Sequence, residues 1–330
     1  MSTELCLGTR GSQLALWQAN TVAARVAAAG GPPCRIVVIK TSGDRLQDAP
    51  LSQIGGKRLF VKEIEDALLR GEIDLAVHSS KDMPAVLPAG LAIAGVLPRE
   101  EPLDAIVLPA RGEHPLCPPL MTIDDLVAHL GQAPSLGTGS VRRIAQLTRL
   151  FPGGRFENIR GNLDTRLRKL DEGAHDALVL AAAGLRRLGF GDRISLALPA
   201  AACVPAPGQG IVAIEIRQGD AHVRAAVGRI SDPAAAAALA AERALVEALG
   251  GGCQTPVGAL ASPVGGGALE LIAVVVALDG SRAVRGHARG PAADAAAIGT
   301  RVGAQLLRDG ADEILAEAAK AQGAGEGIQP

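Results

Sequence analysis

The sequence predicts an α/β protein whose N-terminal part carries a mostly parallel sheet. Three observations carry this. Short apolar β-like segments alternate with helical ones over most of the chain. Those segments run into polar or basic loops, where parallel sheets bind ligands. Beyond residue 229 the pattern changes to a helix, a hairpin and two further helices. At 330 residues the chain should hold two or three domains of roughly 100–150 residues each.

Leu5–Gly8 reads as a strand and Ser12 to about Ala29 as a helix. Arg35–Lys40 is a second strand, followed by the polar loop Thr41–Asp48. Phe60–Arg70 is helical, and the strand Ile73–Val77 ends in His78-Ser79-Ser80-Lys81-Asp82. After Pro98-Arg99-Glu100-Glu101-Pro102 a second unit begins. Its strand Ser135–Gly137 leads into Thr138-Gly139-Ser140-Val141-Arg142-Arg143, and helices at Arg142–Leu150 and Asn162–Glu172 alternate with the buried strand Ala177–Leu180. Pro199–Gly210, rich in Pro and Gly, reads as a hinge or crossing segment before the strand Ile211–Ile216. Asp232-Pro233 marks a capped helix start, with Ala234–Leu249 helical. Strands Leu269–Leu278 and Ala283–Ala288 flank the hairpin signal Asp279-Gly280, and Ala292–Arg308 and Ala311–Lys320 are helices. The tail from Gln322 reads as frayed.

Composition excludes several classes. One Trp, four Phe and no Tyr leave little for base stacking, and a net charge of −1 offers no global attraction for polyanions, so no nucleic-acid partner is expected. Cys6, Cys34, Cys117, Cys203 and Cys253 are scattered and form no CxxC pair, which argues against a disulfide framework and a zinc site; no metal is expected. The first residues lack a basic n-region and an apolar h-region, and the longest apolar runs are too short to span a bilayer. A cytoplasmic protein with reduced thiols, and no membrane partner, is expected.

Loop positions concentrate cations and hydroxyls: Arg10-Gly11-Ser12, Gly55-Gly56-Lys57, Ser79 and Lys81, Thr138 to Arg143, Arg160-Gly161-Asn162 with Arg166, and Arg186-Arg187. Helix N-termini and arginine forks both hold carboxylates or phosphates, so two units facing each other would form an anion-lined cleft. Taken singly, Ser12 or Ser140 could equally be helix caps and Arg142-Arg143 solvated surface. Lys57 lacks the Walker spacing, and His78 reads as a structural histidine or a base. Asp82, beside Lys81, is either an acid/base group that stays ionised in a cationic cleft or an N-cap. Cys253, in Gly250-Gly251-Gly252-Cys253-Gln254, is either a thiol presented for covalent chemistry or part of a Gly-rich helix stop.

In order along nearly the whole chain, Thr9-Arg10-Gly11-Ser12, Gly55-Gly56-Lys57 with Phe60, His78-Ser79-Ser80-Lys81-Asp82, Gly137–Arg143, Arg160-Gly161-Asn162, Pro207-Gly208-Gln209-Gly210 and Gly251-Gly252-Cys253 resemble the porphobilinogen deaminase (hydroxymethylbilane synthase) family. The resemblance implies two domains like bacterial periplasmic ligand-binding proteins (1–97 with 210–228, and 98–209) and a small α+β domain (229–330). It implies stepwise head-to-tail joining of four porphobilinogen units with loss of ammonia, then hydrolytic release of linear hydroxymethylbilane, for porphyrin and haem biosynthesis. A monomer is the expected state. By the same resemblance a dipyrromethane cofactor sits on Cys253 through a thioether, held by Ser79, Lys81, Asp82, Thr138, Ser140, Arg142, Arg143 and Arg160. Asp82 is then the catalytic aspartate, stabilising azafulvene-like cations. Arg10, Ser12, Lys57, Phe60, Arg166, Arg187 and Gln209 are matched to the substrate. Departures are Gly139 and Val141, where many members have Ser and Leu, Gly250, where an acid is common, and a longer segment at 108–134, expected to be a surface loop. The rival reading is a non-catalytic cytosolic anion-binding sensor, which needs neither Cys253 nor Asp82.

Overall fold

The computed structural model describes residues 4–42, 61–110, 122–250 and 255–324. Among these, three sheets organise the chain. In the first, β2 (Cys34–Val38), β1 (Leu5–Thr9), β3 (Leu75–Ser79), β10 (Val212–Arg217) and β4 (Leu91–Val96) lie side by side in that order. β1 is parallel to β2 and β3, whereas β10 is antiparallel to β3 and β4. In the second, the order is β7 (Arg155–Glu157), β6 (Ser135–Gly137), β8 (Ala177–Ala181), β5 (Asp104–Val107) and β9 (Leu196–Ala197). β6 is parallel to β7 and β8, and β5 is antiparallel to β8 and β9.

The two sheets therefore share one order and one set of directions. Each is mixed, which corrects the mostly parallel sheet expected for the N-terminal unit. The reversed strand in each comes from a crossing: β10 follows the second unit, and β5 precedes the rest of its sheet.

Local chemistry sets the helices. Ser12 caps α1 (Gln13–Ala28) by accepting from Ala15 N at 3.3 Å. α2 (Lys62–Leu69) lays Ile64, Ala67 and Leu68 against Ala76 of β3. The 108–134 segment is not simply a loop: Thr122 and Asp125 form a reciprocal capping box for α3 (Ile123–Leu130), and Leu126 is buried in the second unit's core. Ser140 caps α4 (Val141–Leu147), and α5 (Leu163–Asp171), α6 (Ala182–Arg187) and α7 (Ala221–Gly228) complete the two units.

The third sheet, β11 (Val257–Pro263), β12 (Ala268–Val276) and β13 (Ala283–Pro291), is antiparallel throughout. It packs on α8 (Pro233–Ala248), α9 (Ala295–Arg308) and α10 (Ala311–Ala324) around Leu245, Leu271, Val302 and Leu306. β11 was not visible in the sequence pattern, and α10 runs past the expected fraying point. A Cβ at Gly299 would collide with Ala241 O, so this glycine lets α9 lie close on α8.

Buried Glu242 of α8 ties the third unit to the two segments, around Arg99 and Gly208, where the chain passes between the first and second. It accepts from Arg99 Nη1 at 2.6 Å, Ala261 N at 2.7 Å and Gly208 N at 2.5 Å. Gly208 has φ +74 and sits against Ser80, so a side chain there would be both strained and crowded.

Candidate active site

Strand β3 delivers the chemistry. Its end is pinned by Gln18 Nε2, which donates to Ser79 Oγ at 2.8 Å, and by Ser80 N, which donates to Ile211 O at 3.0 Å. The chain then makes one 3-10 turn, Ser80–Asp82, that carries Lys81 and Asp82 into a cleft of about 330 Å³. Arg10 and Ser12 line the same cleft from the first unit, Asn162, Arg166 and Arg187 from the second, and Gln209 from the crossing segment. Asp82 is the last residue of this turn, Ser79 holds the N-cap position and Met83 continues in an extended conformation, so Asp82 does not start a helix as the N-cap reading requires.

The cleft is short of negative charge. Burial pushes the Lys81 ammonium down to about 8; Asp82 opposes the shift and Arg143 adds to it. Arg166 is lowered by burial and by the nearby Arg143, and Arg187 by burial, with Glu100 opposing. Arg187 is held by donating from Nη2 to Gly210 O at 2.7 Å, and its guanidinium lies 5.6 Å from the Trp17 ring centroid. Lys81 Nζ reaches Gln209 Oε1 at 3.4 Å.

Arg142 and Arg143, expected to hold cofactor carboxylates, are engaged elsewhere in this structure. Both are buried on Asp104: Arg142 Nη1 donates to Oδ2 at 2.6 Å, and Arg143 Nη2 to Oδ1 at 2.7 Å. Gln209 Nε2 adds a bond to Asp104 at 3.0 Å. Burial alone would raise Asp104, but the two guanidiniums hold its carboxyl far below the usual carboxylate range. Beside it, burial and Asp104 push the Cys203 thiol up to about 12, so it stays protonated. The geometric reason for the difference is local: Asp104 opens β5 directly opposite Ala181 and meets the first turn of α4.

Ser140 Oγ is spent on capping α4, and Thr138 Oγ1 accepts from Ser140 N at 3.3 Å; neither they nor Arg160 line this cleft. Cys253, Lys57 and Phe60 lie outside the described residues. Sequence reasoning missed Asp104, whose signal was an acid opening the otherwise apolar strand Asp104–Val107, and the contact of Trp17 with Arg187. Among the described residues no group of His, Cys, Asp and Glu is placed to hold a metal, and no helix is long and apolar enough to cross a membrane.

Comparison with known proteins decides the family. Residues 5–225 match the family model described as porphobilinogen deaminase, dipyromethane cofactor binding domain, and residues 236–308 match porphobilinogen deaminase, C-terminal domain. The chain belongs to the porphobilinogen deaminase family. A porphobilinogen deaminase of Geotalea daltonii is 44% identical over 315 residues, covering 95% of this chain and 94% of that one. One from Pelotomaculum thermopropionicum is 46% identical over 319 residues, covering 96% and 98%. Solved structures superpose loosely. The VFT2 domain of BvgS from Bordetella pertussis gives a TM-score of 0.39 at 17% identity over 69% of this chain and 85% of that one. An ancestral cationic amino acid solute binding protein gives 0.39 at 14% identity over 69% and 88%.

Proposed function

We propose that this cleft joins four porphobilinogen molecules head to tail, releasing one ammonia per condensation, and that water then frees linear hydroxymethylbilane. The carrying observation is one carboxylate, Asp82, set beside Lys81 in a cleft whose lining cations Arg10, Lys81, Arg166 and Arg187 outnumber their counter-charge. Porphobilinogen and its oligomers bring acetate and propionate groups, which supply that charge. A substrate gains a positive centre as ammonia leaves, and an ionised Asp82 is the group placed to hold it and to accept from pyrrole N–H.

The cofactor of this family is a dipyrromethane, and the donor set fits it. Lys81 and Arg166 are cations destabilised by burial, so an incoming carboxylate restores their charge balance. When bound, the dipyrromethane supplies a primer pyrrole carbon for chain growth. Cys253 is its proposed covalent anchor, with Lys81, Ser79 and Arg160 among its holders and Arg10, Ser12, Arg166, Arg187 and Gln209 facing substrate arms. Arg142 and Arg143 take the role of steering Lys81 by charge, or of carboxylate ligands once Asp104 shares them.

Intact mass and turnover test this together. The purified protein should exceed its sequence mass by two condensed pyrrole rings, and Cys253→Ser should lack that increment. Asp82→Asn should keep the increment yet turn over at least about 100-fold more slowly. An active protein of unmodified mass, or near-normal turnover in Asp82→Asn, would sink the proposal. A non-catalytic sensor would bind porphobilinogen and release no ammonia.

A further inference from the structure

Strands β3 and β10 bury a base and an acid that the chemistry above does not use. Glu215 of β10 is 0% exposed and His78 of β3 is 4% exposed. Glu215 Oε2 lies 3.2 Å from His78 Nε2, at hydrogen-bond distance but out of alignment, and neither Glu215 oxygen has an aligned donor among the described residues. Apolar residues of similar volume are often as stable as a buried pair of this kind, or more so.

The molecule contains that apolar replacement. Gly8 faces Ala76 in the first sheet, and Gly137 faces Leu178 in the second. Counted from these, His78 corresponds to Leu180. Glu215, opposite Ala76, corresponds to Val107, opposite Leu178. Leu180 and Val107 pack in one apolar cluster, so this fold does not need a polar pair here. The first unit differs at this strand end by carrying Lys81 and Asp82, where the second has Ala183 and Gly184. The β10–β4 ladder also shifts register between Ile214 and Glu215, an irregularity of the kind that re-aims side chains near active sites.

We propose that His78 and Glu215 are a positioning pair for the catalytic turn, fixing the end of β3 against β10 so that Lys81 and Asp82 project correctly into the cleft. β10 is the strand able to do this. It continues from the segment whose Gly208 abuts Ser80, whose Gln209 meets Lys81 and whose Ile211 O accepts from Ser80 N. Neither residue lines the cleft, so the pair acts through the turn. The inference rests on Asp82 being the catalytic carboxylate.

The test imports the second unit's residues: His78→Leu with Glu215→Val in the full, cofactor-loaded protein. The double variant should keep its denaturation midpoint and its cofactor mass, hold KM for porphobilinogen within about twofold, and lose about 10- to 100-fold in kcat. Unchanged kcat in the folded, loaded variant overturns the proposal. Glu215→Gln keeps the shape and replaces the carboxyl group with an amide, and it reads the same quantity if the apolar pair does not fold: about a 10-fold loss in kcat supports the pair, and no loss overturns it. Asp82→Asn run in parallel separates the two failures. If it stays fast, the active-site reading fails; if it is slow while the pair variants are fast, the pair alone fails.

Discussion

The two α/β units share a strand order and differ in what they place at equivalent strand ends. In the first, β3 runs on into Lys81-Asp82; in the second, β8 runs on into Ala183-Gly184. After their capping serines, α1 presents Leu14 and Ala15 where α4 presents Arg142 and Arg143. The reversed strand carries Val212 in the first unit and Asp104 in the second. The units thus meet in two chemically distinct ways. On one side Leu14 approaches Gly184 in a small apolar contact. On the other, Arg142 and Arg143 bear electrostatically on Lys81. One framework supplies an adhesive contact and a charged one, and the chemistry collects at the charged one.

The comparison breaks most sharply at Asp104. Asp104→Asn leaves Arg142 and Arg143 buried without their counter-charge, and a loss of about 3–5 kcal/mol in unfolding free energy is expected by denaturant titration. Importing the first unit's residues, Asp104→Val with Arg142→Leu and Arg143→Ala, should restore much of that stability. If the single variant is as stable as the parent, the charged contact is not what holds α4 to β5. The pH sign follows from the lowered carboxyl. Its stabilisation is present above the unfolded value near 3.8 and is lost as pH falls through the folded one, so Asp104→Asn should narrow its gap to the parent below about pH 4.

The crossing segment sharpens the comparison next. Gly208→Ala forces a side chain into φ +74 and against Ser80 at the catalytic turn. About 1–3 kcal/mol of destabilisation is expected, with kcat falling alongside. The turn at the end of β8 makes no such contact with this segment's glycine, so Gly184→Ala, with 3.8 Å to its nearest neighbour, should be nearly silent. Equal effects of the two substitutions would remove the asymmetry.

Much of this was legible in the sequence, for reasons that differ by element. β3 and its loop were visible because an apolar run ended abruptly in Ser79, Lys81 and Asp82; the helix starts at Ser12, Ser140 and Asp232 were visible because caps are local. Short or reversed strands such as β5, β9 and β11 were not, since their pairing partners lie far away in sequence. The destination of Arg142 and Arg143 was hidden for the same reason: Asp104 is 38 residues from Arg142, and only the strand order brings them together. His78 had two readings in the sequence, and what the pattern could not supply was Glu215, which belongs to a strand reached only after the chain returns from the second unit.

Lys81 tests the charged contact by pH. Its folded value of about 8 lies below the ordinary lysine value of 10.5, so its charge is present below about pH 8 and is lost as pH rises through it. At pH 9 about a tenth of the ammonium remains, so anion binding through this group should weaken about 10-fold, seen as a rise in KM for porphobilinogen. Folding stability runs the other way, rising between those two values as the cost of burying the charge disappears. Lys81→Arg keeps its charge over this range and should flatten the KM profile. A wild-type KM that stays level to pH 9.5 would show that the contact does not read this proton.

The smallest effect is expected where the two units touch across the cleft through a ring. Trp17 of α1 stacks near Arg187 of α6, and Arg187 is also held by Gly210 O at 2.7 Å. A partly exposed cation–π contact contributes about 0.5–1 kcal/mol, so Trp17→Leu should raise KM about two- to fivefold while leaving kcat nearly unchanged. Trp17→Phe keeps a ring face and should recover most of the difference. Trp17 is the chain's single tryptophan, so its emission reports this contact directly. Arg187→Ala should shift that emission if the stack persists in solution. A KM unchanged in Trp17→Leu, with emission unmoved in Arg187→Ala, would assign Arg187's placement to the Gly210 carbonyl alone, leaving the apolar side of the pair to join the units without shaping the site.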